Sequence, residues 1–104
     1  MADGILEAIK EQLQNQIPAK IKKIILYGSH ARNSSHNDSD VDILLIIEGK
    51  VDELLRKQIY NVCYDLNSMY DIWIDVSLLS EDDMSTIRGK QPFVQNALLE
   101  GIVL

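Results

Sequence analysis

Three aspartates in two stretches of the chain carry the side chains best suited to bind a divalent cation. Asp40 and Asp42 stand two residues apart at the start of an apolar run, and Asp75 lies alone among apolar and aromatic neighbours. Side chains two residues apart on a strand share a face, so Asp40 and Asp42 can clasp one cation between them. If the strand of Asp75 pairs beside theirs, three carboxylates meet in one cleft, which implies a bound divalent cation. Two magnesium ions held in this way support in-line phosphoryl or nucleotidyl transfer.

Each of these acids also has an ordinary structural explanation. Asp40 can cap a turn, Asp42 can point to solvent, and an acid such as Asp75 is common on the exposed face of a strand. The residues from Val41 to Ile47, however, describe a strand that is buried on both faces. An unpaired carboxylate is costly there, and a bound cation relieves that cost.

A glycine and a serine follow the first short β-branched run of the chain. Gly28 and Ser29 come directly after Tyr27, and Ala31 and Arg32 follow them. Glycine lets a backbone approach a ligand closely, and free N–H groups at the start of a helix bind phosphate. On its own, a Gly-Ser pair after a strand predicts only a turn.

The spacing of apolar residues predicts four helices that frame these side chains. The longest covers about 51–67, and a first amphipathic helix covers 4–16. Ser80 and Asp83 form a capping-box-like start for a helix that Gly89 ends. A last short helix begins at Pro92 and ends before Gly101.

Three strands alternate with these helices, over 24–27, 41–47 and 71–78, and a polar loop joins the first two between Gly28 and Asp40. The chain is therefore predicted to be α/β (α+β), with a small mixed sheet of three to four strands flanked by helices. We expect one domain over residues 1–104. The larger aromatic side chains can lie in the core or at an interface, and their apolar setting favours the core; they are Tyr27, Tyr60, Tyr64, Trp73 and Phe93.

The composition excludes several classes of protein. The 104 residues carry a net charge of −6, which argues against a protein that holds a nucleic-acid backbone, because such binding depends on Lys and Arg clusters. The longest apolar run, 43–47, is far shorter than the roughly 20 residues that span a bilayer. Cys63 is the only cysteine, so a disulfide within the chain is impossible. We expect a soluble protein of the reducing cytoplasm, with Cys63 as a small buried side chain.

Taken together in their order and spacing, the motifs resemble those of the minimal nucleotidyltransferases, small relatives of the DNA polymerase beta superfamily. The resemblance is carried by Leu26-Tyr27-Gly28-Ser29-His30-Ala31-Arg32, then Ser39-Asp40-Val41-Asp42-Ile43, then Ile74-Asp75-Val76. It covers nearly the whole chain and implies the polymerase beta-like nucleotidyltransferase fold. Two positions depart from the family pattern: His30 stands where an arginine or similar residue is usual, and Asn33 stands where glycine is usual.

The resemblance also implies roles for individual residues. Asp40 and Asp42 would hold two Mg²⁺ ions, together with Asp75, which would also act on the acceptor hydroxyl, either directly or through the second metal ion. Gly28 and Ser29 would cradle the triphosphate of ATP, and the position of Arg32 is similar to that of the family arginine that neutralises phosphate charge. The implied reaction is attack by a hydroxyl on the α-phosphorus of ATP, with pyrophosphate leaving.

The resemblance implies a protein acceptor as the first hypothesis. Minimal nucleotidyltransferases are often paired with a HEPN ribonuclease toxin, and they act as its antitoxin by adenylylating one of its tyrosines. Two alternatives stay open: an antitoxin that neutralises its partner by binding alone, and a nucleotidyltransferase for a small molecule of the aminoglycoside type. The sequence leaves open the preference for ATP over other nucleotides, the number of nucleotides added and the oligomeric state, although assembly with a partner is expected.

Overall fold

A computed structural model describes residues 4–28, 40–86 and 88–104. Along the chain lie helix α1 (Ile5–Gln16), strands β1 (Ile21–Tyr27) and β2 (Val41–Ile47), helix α2 (Glu53–Tyr70), strand β3 (Ile74–Ser80), a 3-10 turn (Glu81–Asp83), helix α3 (Pro92–Glu100) and strand β4 (Ile102–Val103). The predicted α+β class, with a small mixed sheet flanked by helices, is confirmed. Within the described ranges, no helix is both long enough and apolar enough to cross a membrane.

The four strands form one mixed sheet in the order β3-β2-β1-β4, which leaves β3 at an edge. β1 runs antiparallel to β2 and to β4, whereas β3 runs parallel to β2. The interior position of β2 explains its unbroken apolar run, because both of its faces are covered. Strand β4 was not predicted, since a strand of two residues has no periodic signal.

Helices cover the two faces of the sheet unequally. Ile9 of α1 and Ile59 of α2 belong to one buried cluster with Ile43 of β2, so α1 and α2 pack on the same face. On the other face, Val94 of α3 forms a smaller cluster with Leu44. Since α3 has only nine residues, it covers part of this second face.

Helix α2 is close to the prediction but shifted toward the C-terminus. Its N-cap is Asp52, whose Oδ1 accepts a hydrogen bond from the Leu55 N–H at 2.8 Å, so the helix begins at Glu53. It ends at Asp71, which has a left-handed backbone with φ of 51°. The predicted helix over 51–67 is therefore confirmed, with an end three residues later.

The predicted strand over 71–78 begins later than expected and extends further, over Ile74–Ser80. Asp71 belongs to the end of α2, and Asn67 of the same helix accepts the Ile74 N–H on its Oδ1 at 2.8 Å. The strict alternation of apolar and polar side chains is thus present, but its first residues, 71–73, lie in the connection from α2 and outside the strand.

The predicted helix between Ser80 and Gly89 is wrong. Ser80 does cap the backbone, since its Oγ accepts from the Asp83 N–H at 3.2 Å. The Asp83 carbonyl then accepts from the N–H groups of Thr86 and Gly89, and the Thr86 hydroxyl also donates to it. These bonds fold the segment into a 3-10 turn and further turns in place of an α-helix.

Candidate active site

Three residues on adjacent strands form a row across the sheet. Asp42 of β2 is the Cα partner of Tyr27 in the antiparallel ladder and of Asp75 in the parallel ladder. Because side chains in matching register share a face, the two carboxylates lie side by side. The structure therefore meets the condition set in the sequence analysis, that the strand of Asp75 pairs beside that of Asp42.

Asp42 occupies the open end of the face that α3 only partly covers. It alternates along β2 with Leu44 and Ile46, which are buried in the cluster under α3. Its neighbours Val41 and Ile43 point to the opposite face and are completely buried. Asp42 itself is half-buried, so the core fixes its backbone while its carboxylate reaches the surface.

Gly28 forms a tight turn directly against Asp42. Its φ of +75° is unfavourable for residues with a side chain. A Cβ at this position would also overlap Asp42 Oδ2 and lie 3.2 Å from Asp42 Cγ. Glycine is therefore required here for two reasons, the backbone conformation and the close approach of the carboxylate.

Tyr27 lies beside the two carboxylates, and both burial and their negative charge affect the pKa of its hydroxyl. Burial raises the pKa of its hydroxyl, and the nearby charges of Asp42 and Asp75 raise it further, whereas a hydrogen bond with Ser77 lowers it. Since Ser77 lies on β3, the Tyr27 side chain reaches across β2. Its ring also lies 6.4 Å from the ring of Phe93 in α3, centroid to centroid.

The remaining predicted site residues have different positions. Asp40 precedes β2, is exposed and lines a groove of about 490 Å³ that also includes Trp73. Within residues 4–28, 40–86 and 88–104, no group of three or more His, Cys, Asp or Glu side chains is arranged to hold a metal ion. The three-carboxylate cluster therefore stays a prediction. Ser29 and Arg32 lie outside the described residues, as do His30 and Asn33.

Several aromatic side chains differ from the prediction in how deeply they are buried. Tyr27 is half-buried at the site, and its contact with Ser77 depends on a strand order that the sequence does not reveal. The core positions expected for four other aromatic residues are wrong, because their exposed fractions are 43% for Tyr60, 67% for Tyr64, 59% for Trp73 and 40% for Phe93. Of these, Phe93 contacts Tyr27, and the other three lie along the α2 side of β3.

The chemistry of the row fits a hard divalent cation. Asp42 and Asp75 present carboxylate oxygens from neighbouring strands, and such oxygens are the protein ligands that Mg²⁺ prefers. Mg²⁺ usually keeps several ligand positions for water or phosphate oxygens, so two carboxylates suffice when a nucleotide supplies the others. The close turn at Gly28 leaves no side chain between the backbone and the Asp42 carboxylate.

Comparisons with known proteins show which family the chain resembles. Residues 7–104 match the family described as "Polymerase beta, Nucleotidyltransferase". A protein of Methanocaldococcus jannaschii named "Putative protein adenylyltransferase MJ0604" is 34% identical over 101 residues, covering 94% of this chain and 95% of that protein. The protein adenylyltransferase MntA of Shewanella oneidensis is 30% identical over 89 residues, which cover 86% of this chain and 60% of MntA.

Two solved structures share the fold. One, a toxin–antitoxin crystal structure with AMP-PNP, superposes with a TM-score of 0.64 at 27% identity, covering 93% of this chain and 69% of that chain. The other contains the tri-AMPylated Shewanella oneidensis HEPN toxin in complex with MNT antitoxin, with a TM-score of 0.60 at 24% identity, covering 99% and 71%. The predicted nucleotidyltransferase fold is confirmed, and the chain belongs to the polymerase beta nucleotidyltransferase family.

Proposed function

We propose that the chain transfers AMP from ATP to a tyrosine hydroxyl of a HEPN-type toxin and so acts as its antitoxin. The observation that carries this proposal is the pairing of Asp42 with Asp75 on adjacent strands, directly beside the turn at Gly28. Relatives with the same fold support the donor and the acceptor, since they are protein adenylyltransferases or toxin–antitoxin complexes. Use of ATP also fits the cytoplasmic location expected from the sequence.

In the proposed site, one set of residues binds the metal ions and another binds the triphosphate. Asp40, Asp42 and Asp75 bind two Mg²⁺ ions, and Gly28, Ser29 and Arg32 hold the triphosphate. The Mg²⁺ ions would neutralise phosphate charge and favour ionisation of the acceptor hydroxyl. Support for these assignments comes from the paired carboxylates of Asp42 and Asp75 and from the close turn at Gly28, whereas the roles of Ser29 and Arg32 rest on the sequence resemblance.

The proposed reaction is a single in-line displacement at the α-phosphorus. The acceptor oxygen forms a new bond to the α-phosphorus as the bond to the bridging oxygen breaks, and pyrophosphate leaves with that oxygen. Asp75 accepts the hydroxyl proton and, being exposed, passes it to water. The residues accelerate this reaction by positioning the two reactants and stabilising charge, with no covalent enzyme intermediate.

The test is AMP transfer from radiolabelled ATP to the HEPN-type protein of the same organism, in the presence of Mg²⁺. We expect Asp42→Asn and Asp75→Asn each to reduce the transfer rate on the order of 100-fold or more, because each removes a charge that acts on the reacting atoms. Asp40→Asn tests the third carboxylate in the same way. Asp65→Asn is the matched control, since Asp65 is exposed on α2 and lies outside the row.

The outcomes separate the proposal from its alternatives. If Asp42→Asn transfers AMP as fast as the wild type, the assigned site is wrong. If the Asp42→Asn and Asp75→Asn variants still neutralise the toxin fully, neutralisation occurs by binding, and the enzymatic antitoxin is rejected. Labelling of an aminoglycoside but not of the HEPN-type protein would identify a small-molecule nucleotidyltransferase.

A further inference from the structure

Among the described residues, no strand pairs with the outer side of β3, which lies beside the row of Tyr27, Asp42 and Asp75. The Val41 N–H donates to the Trp73 carbonyl at 2.9 Å, and Val41 is the Cα partner of Ile74 in the parallel ladder. In such a ladder, one residue of a strand bonds to the two residues that flank its partner. The backbone groups of Asp75 therefore point to β2, and those of Ile74, Val76 and Leu78 point away from the sheet.

Side chains cover both ends of this outer side but leave its centre open. Asn67 Oδ1 accepts the Ile74 N–H at 2.8 Å, and the Arg88 guanidinium lies 3.5 Å from the Leu78 carbonyl. Between them, no described residue bonds to the outward N–H and C=O of Val76 or to the N–H of Leu78. An open segment of this kind is a template for one more strand.

A strand added at this edge would meet different surroundings on its two faces. On the face that carries Asp42 and Asp75, a side chain opposite Asp75 would have its Cβ about 5 Å from the Cβ of Asp75. On the α2 side, a groove of about 330 Å³ runs along β3, with Tyr60, Tyr64 and Trp73 in its lining, and it extends to Asp75. Alternate side chains of the added strand would thus face the carboxylate and the aromatic groove in turn.

The charge around the edge distinguishes between possible occupants. Exposed acids flank both ends of β3: Asp40 and Asp71 lie near its start, and Glu81 and Asp82 follow its end, where the positive charge of Arg88 is paired with the Asp83 carboxylate. A second copy of this chain also carries a net charge of −6, and its edge would bring the same acids against these. A basic segment of another protein would instead be attracted.

We propose that the outer edge of β3 binds an extended, Lys- or Arg-containing segment of the protein acceptor by strand addition, which brings the acceptor hydroxyl to Asp75. This inference rests on the proposed function and extends it, because it identifies the surface that selects the acceptor. Backbone bonds to Val76 supply affinity, and the groove with Tyr64 and Trp73 selects the side chain that points away from the site.

Val76→Pro tests the edge with little change to the sheet. Proline removes the Val76 N–H, which points outward, and so no bond to β2 is lost. Val76→Ala is the matched control, since it trims the same side chain but keeps the N–H. With the HEPN-type protein of the same organism as acceptor, we expect Val76→Pro to raise the KM for the acceptor about tenfold relative to Val76→Ala, with similar kcat.

A second measurement uses the wild-type chain and does not depend on folding of the proline variant. Amide hydrogen exchange at Val76 and Leu78 should slow in the complex with the HEPN-type protein, whereas the Ile74 amide, already bonded to Asn67, should change little. Unchanged exchange at both Val76 and Leu78, or equal KM values for Val76→Pro and Val76→Ala, would overturn the inference.

The failure of this inference is distinguishable from the failure of the proposed function. If AMP transfer proceeds and depends on Asp42 while the edge measurements show no effect, only the docking surface is wrong. If the wild type transfers no AMP to the HEPN-type protein, the proposed function falls and the inference falls with it. A wild-type dimer that Val76→Pro converts to a monomer would identify a second copy as the occupant and overturn the inference.

Discussion

Gly28→Ala tests the idea that a close backbone turn positions the Asp42 carboxylate. The protein offers a matched control in Gly49→Ala, because Gly49 has nearly the same backbone conformation, with φ of +72° against +75°. An added Cβ at Gly49 meets no atom within 4 Å, whereas at Gly28 it overlaps Asp42 Oδ2. The difference between the two variants therefore isolates the contact with Asp42 from the strain of the backbone.

The structure allows both effects to be estimated. A left-handed conformation costs an alanine about 1 kcal/mol relative to glycine, so each variant should lose about that much stability. In Gly28→Ala, Asp42 Cγ would also lie only 3.2 Å from the new Cβ. Cγ must then shift by a few tenths of an ångström, and Oδ2 must rotate or shift by about 1 Å to reach ordinary van der Waals distance. This overpacking should cost about 1 kcal/mol more.

The effect on activity should be much larger than the effect on stability. A displacement of about 1 Å at a reacting group reduces rates on the order of 100-fold. Single-turnover AMP transfer should therefore fall by that factor in Gly28→Ala and stay near the wild-type rate in Gly49→Ala, with urea unfolding measured in parallel. Equal stability and equal transfer rates for the two variants would show that the turn at Gly28 does not position Asp42.

Two further predictions concern helix α2. Burial raises the pKa of the Cys63 thiol from 9.0 to about 11, so the folded chain holds this proton more tightly than the unfolded chain. The stability that this provides is present below pH 9 and is lost as the pH rises through 11. In urea titrations between pH 8 and 11, the free energy of unfolding should fall by roughly 2 to 3 kcal/mol more in the wild type than in Cys63→Ala. An equal fall in the two proteins would contradict a buried thiol. Asp52→Ala removes the cap on the Leu55 N–H and should lower the free energy of unfolding in urea by about 1 kcal/mol. AMP transfer should be unchanged, because Asp52 follows the end of β2 opposite to Asp42. A loss of activity at constant stability would show that Asp52 affects the site.

The sequence was most informative where one residue contradicts its neighbours. Asp42 stands in a run of apolar residues that predicts a strand buried on both faces, and β2 is such a strand. A polar residue in this setting indicates function, since local propensity and burial both oppose it. Helices α2 and α3 were also predicted well, because their signals are local. Apolar residues repeat at helical spacing along α2, and a proline and a glycine mark the two ends of α3.

The sequence was least informative where long-range contacts decide the outcome. Ser80 and Asp83 form a good start for a helix, but bonds to the Asp83 carbonyl turn the following residues away. Trp73 has the apolar neighbours of a core residue, yet it directly precedes β3 at the edge of the sheet and is largely exposed. Both depend on which strands become neighbours, and no periodic pattern in a single chain encodes that order.

The strand order also constrains the direction from which the acceptor arrives. The turn at Gly28 ends β1, Asp42 lies on the adjacent β2, and Asp75 lies on β3 at the edge, so a line from Gly28 to Asp75 runs across the sheet. In the proposed reaction, the nucleophile and pyrophosphate must lie on opposite sides of the α-phosphorus. With the triphosphate at Gly28, pyrophosphate leaves over β1 and the hydroxyl enters over β3. Because β3 has no further strand beside it among the described residues, substitutions along its outer edge should alter the choice of acceptor without altering ATP binding.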